Sequence, residues 1–359
     1  MKIIHCADLH LNSKMETHFD LAKSVSRKKE ILNTFVRMVD FANKNNVEVV
    51  IFAGDVFDSS KITKETMDTF FKAIEKNPAI TFLYLSGNHD EKVVLGDNIP
   101  QNLKFFNDYW TKFVFNNVVI TGIELTKKNY IVASSDLDLD ENNVNIVVLH
   151  GQTTNTNPST QNDINIKEYK NKNIDYMALG HIHEYRLETL DNRGVFCYSG
   201  TLEGRGFDET GEKGFSLIEI NGNKLTSKFI SFATRVIQII KVDITNVENQ
   251  FELQNLVEKT VKNVNKENII RVELTGSIAP TFNKSLSVIE KILSKEFYYV
   301  EISDKHLKIK LENLDTSSVS LIGEFTKLVL SSDLDEKQKE YIISLGFKAL
   351  NGEDIEIWN

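Results

Sequence analysis

The chain has 359 residues, which suggests about two domains, and its 41 % hydrophobic and 26 % charged residues are those of an ordinary globular protein. A formal net charge of −9 argues against a protein that simply coats nucleic acid, but it is compatible with a site built from carboxylates. No run of about 18 apolar residues is present, so no membrane span is expected, and two cysteines, Cys6 and Cys197, cannot form a disulfide framework, which points to a reducing cytoplasm.

The first predicted strand is Lys2–Cys6, with Ile3 and Ile4 buried; its apolar part is too short for a signal peptide. It ends in Asp8-Leu9-His10. From about Ser26 to Lys44, Ile31, Leu32, Phe35, Val36, Val39 and Phe41 recur at helical spacing. Val47–Ala53 is an uninterrupted apolar run, the mark of a strand buried on both faces, and it stops at Gly54-Asp55-Val56-Phe57-Asp58. A second helix is expected over Lys64–Glu75, with Met67, Phe70, Phe71 and Ile74 on one face. The stretch Thr81–Asp90 opens as a core strand, breaks at Gly87 and delivers Asn88, His89 and Asp90 in a row. Val118–Ile123 and Tyr130–Ser134 read as shorter strands. Asn145–Leu149 is an apolar strand ending in His150-Gly151, and Ile174–Leu179 runs into Gly180-His181-Ile182-His183. Alternating strands and helices define an α/β protein.

The strand ends therefore present Asp8 and His10; Asp55 and Asp58; Asn88, His89 and Asp90; His150; and His181 and His183. A single histidine at a strand end is most often a satisfied surface or core residue. Here five of the chain's eight histidines stand at such ends, so convergence on one ligand site is the stronger reading. Imidazole with carboxylate and one amide oxygen suits first-row divalent ions such as manganese or iron. The candidate ligands outnumber what one tetrahedral zinc needs. Two ions about 3.5–4 Å apart fit better, with Asp55 as the carboxylate between them.

D-x-H at Asp8–His10, G-D-x-x-D at Gly54–Asp58, G-N-H-D at Gly87–Asp90, H-G at His150–Gly151 and G-H-x-H at Gly180–His183 resemble the motifs of calcineurin-like metallophosphoesterases in order and spacing. Ala7–Leu11, Ala53–Ser60, Gly180–Tyr185 and Tyr198–Phe215 further resemble SbcD-type DNA repair exonucleases, including their YhaO-like bacterial branch. The resemblance implies a metallophosphoesterase β-sandwich flanked by helices. It implies one ion held by Asp8, His10, Asp55 and His183, and a second held by Asp55, Asn88, His150 and His181. His89 would not be a ligand but the catalytic residue facing the scissile phosphate, and Asp90 would orient His89 or cap the turn. Several nucleases of this family carry His at the end of the second motif. This chain has Asp58 there, for which a structural supporting role is expected.

The implied activity is hydrolysis of DNA phosphodiester bonds by water activated between two divalent ions. Manganese is the first expectation, with magnesium, iron or zinc as alternatives. The implied partners are DNA and an SbcC-like coiled-coil ATPase, with no membrane; a homodimer is left open, with Lys14–Ser26 and Asn98–Phe113 as its surfaces. Competing classes are a phosphodiesterase or phosphatase acting on a small molecule or phosphoprotein, and a non-catalytic scaffold. The intact ligand set and His89 count against the scaffold.

Beyond residue 232 the composition changes, giving a predicted division into a nuclease domain 1–232, a smaller α+β capping domain 233–315 and a C-terminal helical element 316–359. In the capping domain, strands are expected at Arg235–Asp243, Ile269–Thr275, Tyr298–Ile302 and Leu307–Leu311, with helices over Gln250–Val264 and Ser285–Leu293. Helices over Val319–Leu330 and Asp335–Leu345 carry apolar stripes through Phe325, Leu328 and Val329 and through Tyr341, Ile342 and Phe347. Those stripes fit either a self-packed hairpin or docking on the ATPase.

Overall fold

The computed structural model describes residues 1–15, 19–59, 61–90, 93, 95–96, 98–279, 282, 284–309 and 321–350. The chain forms two compact units, Met1–Val236 and Ile237–Asn359. In the first, the elements are β1 (Lys2–Cys6), α1 (Leu21–Lys44), β2 (Val49–Ala53), α2 (Lys64–Glu75), β3 (Thr81–Leu85), β4 (Leu103–Phe105), β5 (Thr111–Phe115) and β6 (Val118–Gly122). They continue as β7 (Val144–His150), β8 (Gln152–Thr154), β9 (Asp163–Asn165), β10 (Tyr176–Gly180), β11 (Arg186–Thr189), β12 (Val195–Tyr198), β13 (Gly214–Asn221) and β14 (Lys224–Ser231).

Two six-stranded sheets face each other, ordered β14-β13-β1-β2-β3-β4 and β11-β12-β10-β7-β6-β5. Strands β1 to β4 run parallel, as do β6, β7, β10 and β12. The apolar run predicted to be buried on both faces is so: every residue of β2 is buried, as is every residue of β7 and β10. Alternate residues serve different layers. Ile51, Ala53, Leu83 and Leu85 meet Ile146, Val148 and Ala178 between the sheets. On the other face, Phe52 stacks on Phe82 and meets Phe35 of α1 and Phe70 of α2 at a tilt, with Phe35–Phe70 and Phe52–Phe82 centroids 5.1 and 6.0 Å apart. The outer face of the second sheet is covered by Ile164 of β9 and by Ile123, Leu137 and Tyr169 from connecting segments.

Two differences from the sequence reading have physical causes. Helix α1 begins at Leu21 rather than near Ser26, because the Asp20 carboxylate caps it by accepting the Lys23 N–H at 2.8 Å. Its first apolar residues, Leu21 and Val25, face outward, so no apolar periodicity marks that turn. Tyr130–Ser134 is not a strand but part of a run of turns. Asn129 fixes the run by accepting the Thr126 N–H and donating to the Asp108 and Glu124 carbonyls, and Ile131 and Val132 are left exposed.

The second unit contains β15 (Ile237–Asp243), α3 (Gln250–Val261), β16 (Ile269–Thr275), β17 (Ser277–Ile278), α4 (Leu286–Leu293), β18 (Tyr299–Ser303), β19 (Lys308–Ile309), α5 (Leu321–Leu330) and α6 (Glu336–Leu350). β15, β16 and β18 form a parallel sheet, and Val242, Val272, Leu274 and Val300 pack under Leu253 and Val257 of α3 and Ile289 and Leu293 of α4. Helices α5 and α6 pack on each other through Phe325, Val329, Ile343 and Phe347, while Leu328 faces outward. Of the predicted pieces, the end of the strand at 307–311, the start of the helix at 319, the boundary at 315/316 and residues 351–359 lie outside the described residues. Among the described residues, no helix is long and apolar enough to cross a membrane.

Candidate metal centre

β1, β2 and β3 are parallel neighbours, and so are β7 and β10, so within each sheet their carboxyl ends lie on one edge. The loops leaving β1 and β2 run side by side: the Asp8, His10 and Leu11 amides donate to the carbonyls of Gly54, Asp55 and Val56 at 3.0, 3.0 and 2.9 Å. These loops hold unusual backbone. Asp8, His10, Asp55 and His181 all have positive φ, at 51°, 43°, 51° and 95°. Few residues other than glycine adopt such values, aspartate and histidine more readily than most, and backbone of this kind collects at functional sites. Gly54 has φ +94°, and a Cβ there would fall 2.1 Å from His150 Nδ1. At Gly87 a Cβ would fall 2.2 Å from Asp55 Oδ1. Both glycines let the backbone approach the functional side chains directly.

The structure brings the seven expected ligand residues together. Asp8, His10 and His183 form one group, and Asp55, His150 and His181 another, with the ligand atoms of each within 4.8 Å of one another. Asp55 Oδ2 lies between them, 4.0 Å from His10 Nε2 and 3.4 Å from His150 Nε2. Asn88 Oδ1 joins the second group, 3.1 Å from His150 Nε2 and 3.2 Å from His181 Nδ1. The main chain sets both carboxylates: the His181 N–H donates to Asp8 at 3.0 Å, and the His89 N–H donates to Asp55 Oδ1 at 2.8 Å. Asp8, His10, Asp55 and His150 are buried, whereas Asn88 and His89 are exposed.

The donor set fits cations. His10 Nδ1 lies 3.0 Å from Asp58 Oδ1 and His183 Nδ1 2.8 Å from Glu209 Oε1, so each ring gives its Nδ1 proton to a carboxylate. The two Nε2 atoms then face each other 3.2 Å apart with bare lone pairs. Nitrogens bound to one metal ion at about 2.0–2.1 Å stand about 3.0 Å apart at a right angle and about 3.4 Å apart in a tetrahedron. His150 repeats the pattern: Nδ1 donates to the Ala53 carbonyl at 2.9 Å, and Nε2 is turned on two acceptors, Asn88 Oδ1 and Asp55 Oδ2. A positive charge satisfies every one of these contacts.

The protonation equilibria of the protein groups alone are set by burial and by their mutual charges. Burial pushes Asp8 up to about 6, against the pull of His150 and His183. Burial would also raise Asp55, but the contacts from His150, the His89 amide and His10 hold it below the usual carboxylate range. Burial opposes charge on His150, yet Asp55 and Asp8 outweigh it and lift the imidazolium to about 9.

Asp90 caps the turn and does not orient His89. Its carboxylate accepts from the Gly87 and Val56 amides at 2.6 and 2.9 Å and from the Tyr84 hydroxyl at 2.6 Å. His89 is instead held by the Asp58 carbonyl, 3.0 Å from its Nδ1, with its ring edge-on to His10 at 4.8 Å. Asp58 orients His10. Two residues escaped the sequence reading: Arg205 and Glu209, in the loop after β12, stand against Asp58 and His183. The only local signal was their place in Tyr198–Phe215, which carries no metal-ligating spacing.

The family model for the calcineurin-like phosphoesterase matches residues 1–185. Similarity to individual proteins extends further. The chain is 23 % identical to a DNA double-strand break repair protein Mre11 of Sulfolobus acidocaldarius, over 94 % of this chain and 93 % of that protein. It is 26 % identical to an uncharacterized metallophosphoesterase YhaO of Bacillus subtilis, over 77 % of this chain and 72 % of that protein. To the SbcD component of the SbcCD nuclease of Staphylococcus epidermidis it is 21 % identical, over 95 % of this chain and 97 % of that protein. With half of its length matched by one family model, and with carboxylates and imidazoles gathered at the strand ends where that family holds two metal ions, the chain belongs to the calcineurin-like phosphoesterases.

Proposed function

We propose that this chain is a DNA nuclease that hydrolyses phosphodiester bonds with two divalent ions, manganese by preference, and acts in DNA repair beside an SbcC-like coiled-coil ATPase. The observation that carries the reading is Asp55 Oδ2, which stands between His10 Nε2 of one ligand group and His150 Nε2 of the other. Asp8, His10, Asp55 and His183 are assigned to one ion, and Asp55, Asn88, His150 and His181 to the other. When bound, such ions neutralise the non-bridging oxygens of a phosphate and lower the pKa of water to near neutrality. The chain's own residues do the rest. Asp58 and the Ala53 carbonyl fix the tautomers of His10 and His150. Because the Asp58 carbonyl accepts from His89 Nδ1, His89 Nε2 is left to face the substrate. As an imidazolium it donates a proton to the leaving sugar oxygen.

DNA is favoured as substrate because relatives over nearly the whole length of this chain are named as break-repair and SbcCD nuclease proteins. The second unit supplies the candidate capping domain, and Leu321 and Leu328, 72 % and 71 % exposed on α5, supply an apolar surface for the ATPase. Leu21, Val25 and Tyr109 are exposed in the two stretches proposed for a homodimer. Two buried free cysteines suit the cytoplasm.

The test is cleavage of end-labelled duplex, hairpin and single-stranded DNA with manganese, magnesium or no metal, beside a phosphopeptide and a nitrophenyl phosphate monoester. Manganese-dependent DNA cleavage is expected. Turnover of the phosphopeptide or monoester with intact DNA would overturn the substrate assignment in favour of a phosphatase.

A further inference from the structure

Behind the proposed ligands His10 and His183 lies a connected set of charges. Asp58 Oδ1 is 3.0 Å from His10 Nδ1, and Glu209 Oε1 is 2.8 Å from His183 Nδ1. Arg205 joins these two carboxylates. Its Nη1 donates to Asp58 Oδ1 at 3.1 Å, and its Nη2 and Nε donate to Glu209 Oε1 at 2.6 and 3.0 Å. The Arg205 amide also donates to Glu209, to Oε2 at 2.8 Å. Arg205 Nη2 also lies 3.3 Å from His183 Nδ1, whose proton is already directed at Glu209.

Arg205 is itself held in place. The preceding residues are anchored to α1 by the fully buried Arg27, which donates to Glu203 Oε2 at 3.2 Å and to the Gly204 carbonyl at 2.7 Å. Thr34 donates to the other Glu203 oxygen at 3.0 Å. On the far side, Lys213 Nζ holds the His183 carbonyl at 2.9 Å. The guanidinium is therefore a fixed fork whose prongs reach two carboxylates that do not otherwise touch, geometry a lysine's single ammonium does not reproduce.

We propose that Arg205 is a positioning residue of the metal centre: by binding Asp58 and Glu209 together, it sets the rings of His10 and His183 so that their Nε2 atoms converge on one cation. The inference rests on the reading that His10 and His183 hold an ion. Each carboxylate alone fixes one ring, and Arg205 fixes the angle between the two. Partners of this kind are worth about 10–100-fold in metal affinity.

The experiment is a manganese titration of metal-free full-length protein by calorimetry, comparing wild type, Arg205→Ala, Arg205→Lys and Glu209→Gln with His183→Ala and His150→Ala as reference patterns. Arg205→Ala is expected to weaken about 10–100-fold the ion that His183→Ala removes, and to leave the ion that His150→Ala removes within about twofold. Arg205→Lys is expected not to restore the lost affinity, which separates aligned hydrogen bonding from simple charge. If Arg205→Ala fails to fold, Glu209→Gln reads the same link, because its neutral amide keeps the shape and loses the ion pair. Two ions bound as tightly as in wild type, equal weakening of both, or full rescue by lysine would overturn the positioning role. Failure of wild type to bind two ions, or of His183→Ala to lose one, would instead overturn the metal assignment.

Discussion

Asn88 and His89 are consecutive, and the turn after β3 sends them to different tasks. Asn88 Oδ1 is directed at His150 and His181, whereas the His89 ring is held by the Asp58 carbonyl and gathers with His10 and Asp58, apart from the group of Asp55, His150 and His181. Only the first is proposed as a metal ligand. His89→Ala is therefore expected to keep both ions and DNA binding while cleaving about 10²–10⁴-fold more slowly. Its deficit should shrink on a nitrophenyl phosphodiester, whose leaving group needs no proton. Elemental analysis alongside the two rates checks this. Loss of metal in proportion to activity would mean that His89 supports the loop and is not the acid.

At the scale of elements, the polar strand ends depend on a tightly filled interior between the sheets, and one member of that interior is itself titratable. His5 of β1 is fully buried, with Nδ1 3.0 Å from the Tyr176 hydroxyl of β10. Burial pushes its pKa down from 6.5 to about 3, against a weaker pull from the Leu179 backbone. The folded chain thus keeps His5 neutral where the unfolded chain protonates it. Below about pH 6.5 the unfolded state binds more protons, so stability falls with pH, by up to about 1.4 kcal/mol per unit from this group, until about pH 3. Urea unfolding at pH 6.5 and pH 5 should cost wild type about 1.5 kcal/mol more than His5→Gln. Equal losses would show that His5 carries no such linkage. The hairpin of α5 and α6 divides differently from its predicted apolar stripe. Phe325 belongs to the hairpin's own core and Leu328 does not, so a docking surface on α5 is read from Leu321 and Leu328.

Across the whole molecule, what could be read from the sequence was whatever a strand wears on both faces and at its end. β2 and β10 are uninterrupted apolar runs that stop abruptly at functional polar residues, and both period and stop are local signals. The hairpin of β13 and β14 went unread although Gly222-Asn223 forms its two-residue turn, with glycine at the first loop position and φ 59°. The apolar pair Ile131–Val132 misled because apolar type does not reveal that both side chains face water. Arg205 and Glu209 had no signal beyond their place in Tyr198–Phe215, since their meaning arises only when the loop after β12 folds back on Asp58, 147 positions from Arg205. The same long-range convergence defines the site. One sheet supplies Asp8, His10, Asp55 and Asn88, the other supplies His150, His181 and His183, and Asp55 stands where the two sets meet. The number of manganese ions retained per chain by Asp55→Asn, measured by elemental analysis against wild type, tests that arrangement most directly. Two ions in wild type and loss of both together in the variant are predicted; two ions retained by Asp55→Asn, or clean loss of only one, would contradict a shared carboxylate at the heart of a dinuclear centre.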